Sequence, residues 1–503
     1  MGLLNNIIMP FRRIQDAIIP VLIGIVGATI FQKLSDVSVL LFPILVGVLI
    51  AFCHFIINSQ FKKVILSMMV FFIVINVDKS FFLDSEHTGG VVGLVLSIWD
   101  VQLFFLYGLW LIEILKDSNN KIDFYPLLLI PLIFIFLFSS ISLLRTDNIR
   151  LSIFQLFQLL KVFLLFFYIS NNISDKKDYQ NILNILFITL FIEMAIGYYQ
   201  HLTNEFVNLG VFTNSAPGQV DRRIGSEVIM AVTGTTGGSD RFASYLIMMI
   251  PLVISTVISR SNIINKTCMT IMMIGCIALL VFTFSRGGWI GFCVGIFQFL
   301  VLFLFIDKDK FKSLLKIISV FLLLSIILII YKDYIYLRFS GEDYGSAQSR
   351  ITMMQIAFRM IKANPIIGVG INNYTNAMSA YDNTGYTLGF YHPVHNVYLQ
   401  LAAEIGILGL LCFLGFICIL YVKSISSLKN IDRFYHIHSI GLLSGITGIL
   451  VHHLANNSTI DSESFVMFWL FAGLIVAIPK IDNNEKLCVK SFSRCKSTSL
   501  SKK

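Results

Sequence analysis

The sequence predicts an all-α polytopic membrane protein with about fourteen transmembrane helices. Three observations carry that prediction. First, the 503-residue chain is 56% hydrophobic and only 13% charged. Soluble domains carry about 25% charged residues, so this chain has too few to cover a water-exposed globule. Second, the apolar residues fall in long blocks, most of them near the ~20 residues that cross a bilayer core. Third, the basic residues gather in alternate connections between those blocks.

The blocks lie at about 17–31, 37–58, 64–80, 91–115, 124–144, 153–170, 181–200, 242–259, 267–284, 287–306, 313–331, 396–421, 434–455 and 463–479. An even count puts both termini on one side. With the N-terminus inside, the inner connections and the tail hold most of the 38 Lys and Arg, including Arg12, Arg13, Lys62, Lys63, Lys176, Lys177, Lys308, Lys310 and Lys312. The short outer connections hold only Lys33, Lys79, Arg145 and Arg150. Positive charge concentrates on the cytoplasmic side of membrane proteins, so both termini are expected in the cytoplasm. The net charge of +9 is then mainly a topology signal. The basic tail KSFSRCKSTSLSKK reads as contact with anionic lipid, and no nucleic-acid partner is expected.

None of the eight cysteines falls in an outer loop, and their spacing suggests neither a disulfide framework nor a metal site. No cleavable signal-peptide pattern opens the chain, so the first span is expected to serve as the targeting signal. The organisation expected is threefold. Residues 1–230 form spans one to seven and an outer loop, 231–480 form a second transmembrane core, and 481–503 form a basic cytoplasmic tail.

Two outer loops, about 201–241 and 332–395, are too long to be simple connectors, and such loops tend to carry function. The second contains a readable helix over 347–363, with Ser346 as N-cap and Asn364-Pro365 as stop. At 100° per residue, Thr352, Gln355, Arg359 and Lys362 share a polar face, while Met353, Met354, Ala357 and Ile361 lie within about 60° of Arg350. Arg350 is therefore expected on the apolar face and Arg359 in water. Arg359→Ala should then matter far less than Arg350→Ala.

Two constellations could carry chemistry. In Phe284-Ser285-Arg286-Gly287-Gly288-Trp289 the glycines permit a tight turn between two spans. Arg286 then sits at the membrane edge, where an ionisable group is costly; the bland reading is snorkelling to lipid headgroups. In Tyr391-His392-Pro393-Val394-His395-Asn396 the proline suits a first helical turn and places His395 and Asn396 at a helix N-terminus. The exposed N–H groups there attract phosphate, and their dipole disfavours imidazolium. A neutral His395 could act as a general base; the bland reading is an interfacial histidine. Glu404 lies about 13 Å further along the helix, an orienting or structural position. Arg222, Arg223, Arg241 and Arg338 are further outer cations, and His452 and His453 end a span on the same side. Lys161 and Glu193 are charges within spans, expected to pair with each other, the alternative being a proton path. No Walker loop, dinucleotide fingerprint, zinc motif or nucleophile elbow is present.

The stretches TFSRGGWIGF at 283–292, SR at 349–350, NPIIGVGINNY at 364–374 and HNVYLQLAAEIGILGLL at 395–411 follow one another in a telling order. In order and spacing they resemble the O-antigen ligase and Wzy polymerase superfamily. GTTGGSDRFASYL at 234–246 is similar to the small-residue segment that enters the next span in that family. The resemblance covers about 230–480. It implies a membrane-embedded glycosyltransferase of GT-C type in the bacterial cytoplasmic membrane, acting on its outer face. The donor would be an undecaprenyl-diphosphate-linked oligosaccharide. His395 would be the base, Arg286 and Arg350 would bind the diphosphate, and Ser285, Asn396, Glu404, Arg241, Arg338, His392 and His453 would support them. Attack would be inverting, with no metal or cofactor. A flippase and a chain-length regulator of the same pathway are implied as partners. The product could be O-antigen, capsule, exopolysaccharide or teichuronic acid. A polymerase joining two lipid-linked glycans is preferred to a ligase acting on a terminal acceptor. A transporter of lipid-linked sugars is the rival from another class, but it predicts charges spread through the spans rather than gathered at the outer rim.

Overall fold

The computed structural model describes residues 61–116, 122–205, 221–224, 227–259, 262–306, 346–388, 392–456 and 462–500, together with residues 329, 331, 332 and 336. In a bilayer each backbone N–H and C=O must find its partner within the chain, so long apolar segments become helices. In chain order the described elements are α1 (Phe61–Val74), a hairpin of β1 (Asp78–Phe81) and β2 (Leu94–Ser97), α2 (Ile98–Lys116), α3 (Pro126–Ser142), α4 (Ile149–Asn172) and α5 (Lys176–Thr203). A second hairpin, β3 (Asp221–Ile224) with β4 (Glu227–Met230), precedes α6 (Ser239–Ser259), α7 (Ile263–Phe282) and α8 (Arg286–Ile306). Then come α9 (Ser346–Ala363), the one-turn α10 (Tyr374–Ala377), α11 (Val397–Leu428), α12 (Arg433–His452) and α13 (Glu463–Leu500).

Ten of these helices, α2 to α8 and α11 to α13, are long and apolar enough to cross a membrane. The chain is an all-α, multi-pass membrane protein. Those ten coincide with expected spans. The spans expected at 17–31, 37–58 and, almost wholly, 313–331 lie outside the described residues. The one expected at 64–80 is cut short. Its helix ends at Val74, and the chain turns into the β1–β2 hairpin, where Asp78 pairs with Ser97 and Phe81 with Leu94. Polar Asn76 and Asp78, hydrogen-bonded to each other at 3.2 Å, mark the exit from the helix.

One end of the bundle is rich in lysine, and four of its lysines are paired with acids of other elements: Lys62 with Glu113 (2.5 Å), Lys63 with Asp178 (2.7 Å), Lys176 with Glu485 (2.8 Å) and Lys480 with Asp123 (2.8 Å). The opposite end carries the long loops. Between them, the two intramembrane charges do not meet. Lys161 pairs with Asp100 of α2 at 2.6 Å, both nearly inaccessible, and also donates to the Val95 carbonyl. Glu193 accepts hydrogen bonds from the amide and the hydroxyl of Thr235 instead. Each charge is thus met by the element packed nearest to it, as burial demands.

The fold turns on a break in α11. Gly406 has φ +79° and ψ 169°, conformations open to glycine alone, and it interrupts the helix in its first third. In a continuous helix the Ala403 carbonyl would accept from Ile407 N–H. Here Val369 N–H donates to Ala403 O at 2.8 Å, Gly370 N–H donates to Glu404 O at 3.0 Å, and Ile407 N–H donates to Pro365 O at 2.8 Å. The segment 364–373 is therefore a graft that satisfies the broken helix. It fits because Gly368 (φ +77°) and Gly406 lack side chains: a Cβ would stand 2.3 Å from Glu404 O at Gly368, and 2.1 Å from Ile366 O at Gly406. The next residues tie this graft to the N-terminal half. Ile371 N–H donates to Ser142 Oγ (2.9 Å), Ser152 Oγ donates to Ile371 O (2.6 Å), and Asn373 Nδ2 donates to Asp147 (3.2 Å).

Gly406→Ala is expected to cost about 1–3 kcal/mol from backbone strain alone, with the clash at Ile366 added. A thermal-unfolding series of the purified protein in detergent checks this; a wild-type melting temperature would overturn it.

Candidate active site

At the loop-bearing end three helix termini meet because glycines let their backbones approach. Along α8, Gly287, Gly291 and Gly295 recur every fourth residue and face α12. A Cβ would lie 2.5 Å from Gly448 O at Gly291, 2.7 Å from Ser444 O at Gly295 and, at Gly445 of α12, 2.7 Å from Met248 O of α6. Small residues at such a spacing are how helices pack closely in lipid. The starts of α6 and α8 and the end of α12 are thereby held together.

Ser285 caps α8. Its hydroxyl accepts from Gly288 N–H at 3.2 Å and donates to Asp240 Oδ1 at 2.6 Å, which ties α8 to the first turn of α6. Phe284 makes the preceding turn at φ +52°. Arg286 and Arg241 are both half-buried in the first turns of their helices. His452 ends α12 with its ring against Gly287, where a Cβ would be 3.2 Å from Nδ1. Asn456 Nδ2 donates to His452 Nε2 at 2.9 Å, which leaves the ring proton of the neutral form on Nδ1. Asp240 and Arg350 both lie within electrostatic reach of this ring.

The loop that leads into α6 is set from α5. Gln200 Oε1 accepts from Thr233 N–H (3.0 Å) and Gly234 N–H (2.9 Å), and Glu193 holds Thr235 as described above. Gly234 is required there, because a Cβ would stand 2.3 Å from Glu193 Oε2.

His395 and Asn396 dock on the end of α12. Val397 N–H donates to His453 O at 3.0 Å, Asn396 Nδ2 donates to Leu454 O at 3.0 Å, and Tyr398 OH donates to Leu450 O at 2.7 Å. Asn396 is the N-cap of α11, its Oδ1 accepting from Leu399 N–H at 2.9 Å. His395 and Pro393 thus precede the helix rather than opening it, since the asparagine cap fixes the start at Val397. Pro393 is instead packed against Gly89 of the N-terminal half. The geometry brings Ser285, Arg286, Arg350, Asp240 and His452 around one place, with the His395–Asn396 turn seated on the same helix end.

Other residues singled out in the sequence fall elsewhere. His392 is exposed. Arg338 lies outside the described residues, as do the side chains of Arg222 and Arg223. Glu404 is buried, accepts from Gln400 Nε2 at 3.4 Å, and lines a mostly apolar cavity between α3, α4, α11 and α13. The buried face of α9 also differs from the expectation. It consists of Met353, Ile356, Ala357 and Met360, whereas Ile351, Met354 and Phe358 are exposed. Ser346 is the first helical residue rather than the cap. Arg350 therefore flanks the buried face instead of centring it. Arg359 is not freely solvated: it is half-buried and donates to Tyr381 O at 2.8 Å. Sequence reasoning passed over Asp240 and left His452 behind His453. An acid in the first turn of α6 beside Arg241, favoured by the helix dipole, was the available signal for Asp240.

Residues 271–414 match the family model described as O-Antigen ligase. The match supports the resemblance to the O-antigen ligase and Wzy superfamily over this stretch of the chain. No curated protein matches the chain significantly. The matched stretch runs from α7 into α11. It contains the Ser285–Trp289 turn, α9, the graft at 364–373 and the break at Gly406. It omits Asp240, Arg241 and His452.

His453 lies one residue beyond α12, buried, with Nε2 unpartnered. Burial, and then the neighbouring His452, push its imidazole down to about 3. A histidine whose folded value lies below its unfolded value near 6.5 binds its proton more readily when unfolded. Stability from this group is complete above about pH 6.5 and falls as the pH drops from there toward 3. From pH 7 to pH 5 the loss is about 2 kcal/mol. His453→Gln should remove that dependence, because the carbonyl that holds Val397 is retained. Melting temperatures of both proteins at pH 7 and pH 5 check it; equal acid sensitivity would refute it.

Proposed function

We propose that the chain is a membrane glycosyltransferase of the bacterial cytoplasmic membrane. It transfers a glycan from undecaprenyl diphosphate to a second lipid-linked glycan and so polymerises a cell-surface polysaccharide. The observation that supports this most is the convergence of Arg286, Arg350, Ser285, Asp240 and His452 at the helix end on which the His395 turn is seated. Guanidinium groups at a membrane boundary suit a lipid-linked diphosphate, whose oxygens they bind in pairs. The helix starts of α6 and α8 add N–H donors.

In the proposed reaction a hydroxyl of the receiving glycan attacks the anomeric carbon of the donor. His395 takes the hydroxyl proton. The bond between the anomeric carbon and the phosphate oxygen breaks, and undecaprenyl diphosphate leaves with the electron pair. Arg286 and Arg350 stabilise the charge that develops on it. Attack opposite the leaving group inverts the anomeric configuration. Ser285 and Asp240 position Arg286 by fixing the start of α8. This reading places the loop-bearing end outside the cell and the lysine-rich end in the cytoplasm, in line with the distribution of positive charge.

His395→Ala is expected to abolish transfer while leaving membrane insertion intact; polymer of normal amount and length would remove His395 from the base role. Arg286→Lys should be severely impaired, because lysine lacks the paired donors of the guanidinium. The assay uses purified protein and lipid-diphosphate oligosaccharide, with and without a separate terminal acceptor. Multimers on the carrier identify a polymerase. Product on the added acceptor alone identifies a ligase.

A further inference from the structure

A cleft opens at the lysine-rich end of the bundle, opposite the candidate active site. It lies between the residues that lead into α3, the end of α11 and the middle of α13. The proposed transfer uses none of its residues.

The wall of the cleft is graded. Both α11 and α13 run toward this end of the bundle, so position along each helix measures depth. The deep wall is apolar: Leu420 of α11, with Ile475 and Val476 of α13. The outer wall is polar: Lys423 and Ser427 of α11, with Lys480, Asn483 and Asn484 of α13. At 1.5 Å per residue, Leu420 to Ser427 spans about 10 Å and Ile475 to Asn484 about 13 Å. Beside the cleft Phe124, Leu127 and Val422 are exposed, as on a surface that faces acyl chains.

Charge in the outer half does not balance. Lys480 Nζ donates to Asp123 Oδ2 at 2.8 Å and to Asn171 O at 3.3 Å, which leaves the third donor of its ammonium over. That pair is neutral. Lys423 has no such partner. It is half-buried, its Nζ lies 5.4 Å from the centroid of the Tyr125 ring, and among the described residues it meets no carboxylate. Tyr125 is held in place by its left-handed backbone (φ +44°) and by donation from its hydroxyl to Ser170 O at 3.4 Å. The next acids along α13, Asp482 and Glu485, do not line the cleft, and they pair with Lys486 (2.6 Å) and Lys176 (2.8 Å). The cleft therefore carries one positive charge in excess. A cation drawn partly out of water is costly, and a bound anion offsets that cost. Exposed Asn483, whose side chain makes no hydrogen bond among the described residues, adds an amide donor at the mouth.

We propose that this cleft is a binding site for one anionic glycerophospholipid of the adjoining leaflet. The headgroup phosphate takes donors from Lys423, Lys480 and Asn483, and an acyl chain lies along Leu420, Ile475 and Val476. Basic pockets between helices at the membrane surface suit such headgroups. A soluble anion would use only the outer half of the wall. A zwitterionic headgroup would bring its own cation against Lys423. The bound lipid joins α3, α11 and α13 at the end of the bundle away from the Gly406 break. The proposal does not depend on the glycosyl-transfer reading.

The test is native mass spectrometry of the full chain, purified in detergent and titrated with three probes. These are dioleoylphosphatidylglycerol, dioleoylphosphatidylcholine, and glycerol 1-phosphate as the headgroup without chains. The wild type is expected to hold one phosphatidylglycerol more tightly than either other probe. Lys423→Gln should weaken that binding at least about tenfold, the loss of one charge-assisted hydrogen bond. Lys429→Gln, at an exposed lysine of the same end that does not line the cleft, should leave it unchanged. Wild-type binding of phosphatidylglycerol by Lys423→Gln overturns the site. So does an equal loss in Lys429→Gln, which would mean general surface charge, or equal affinity of the wild type for phosphatidylcholine. Glycerol 1-phosphate binding as tightly as the whole lipid overturns the lipid as occupant. If Lys423→Gln fails to fold, Asn483→Asp decides: its exposed side chain sets a negative charge at the mouth, and undiminished phosphatidylglycerol binding there also overturns the site.

Discussion

The arrangement depends on one backbone requirement: the break at Gly406 exposes polar backbone groups inside an apolar bundle. In lipid each unsatisfied group would cost several kcal/mol, so the break exists only because another segment supplies partners. Residues 364–373 supply them, with three hydrogen bonds of 2.8–3.0 Å. Everything that lies on either side of this graft inherits its position. Upstream it fixes the end of α9, and hence Arg350. Downstream Ile371, Asn372 and Asn373 lock it to α3, α4 and the 82–93 loop. The same break separates the part of α11 that carries Asn396 and Glu404 from the part that completes the span.

Close packing supplies the second half of the arrangement. The graft alone would leave Arg350 facing nothing in particular. The glycine seam between α8, α12 and α6 carries Arg286, Asp240 and His452 to the same end. Seam and graft meet where Val397 N–H reaches His453 O and Asn396 reaches Leu454 O. The motifs SRGG and HN are therefore not independent signatures. One closes the seam at its turn and carries Arg286 there, and the other fastens the broken helix to it.

Hydropathy made the spans legible, since length and apolarity decide which segments cross a bilayer. The turns at Ser285 and Asn396 were legible because capping and glycine chemistry are local. Partner choice was not. Lys161 found Asp100, 61 residues earlier in the chain, and Glu193 found the backbone of Thr235, because burial pairs a charge with whatever packing brings near. The orientation of α9 escaped periodicity for a different reason. The helix has two apolar stripes, one against the graft (Met353, Ile356, Met360) and one exposed (Ile351, Met354, Phe358). A chain beside lipid can expose an apolar stripe at little cost, so counting apolar residues does not say which stripe is buried. The role of the first two hundred residues was equally hidden, because Ser142, Asp147 and Ser152 act through single hydrogen bonds that leave no periodic trace.

The boundaries of the stretch that resembles the O-antigen ligase family follow the same logic. Residues 271–414 contain the graft, the break, Ser285 and both arginines, Arg286 and Arg350, yet they lack Asp240, the partner that ties Ser285 and the start of α8 to α6. Asp240 lies before the stretch, and Gly445, Gly448 and His452 lie after it. Asn372 lies within it, but His87, whose Nε2 is 3.2 Å from the Asn372 Oδ1, does not. A segment with these boundaries would present unsatisfied carbonyls and unpaired charges to lipid, and it would lack the helix against which its glycines pack. The matched stretch is thus the part of a larger unit that carries Arg286, Arg350 and His395. The flanking helices, α3 to α6 and α12 to α13, are what make those groups converge.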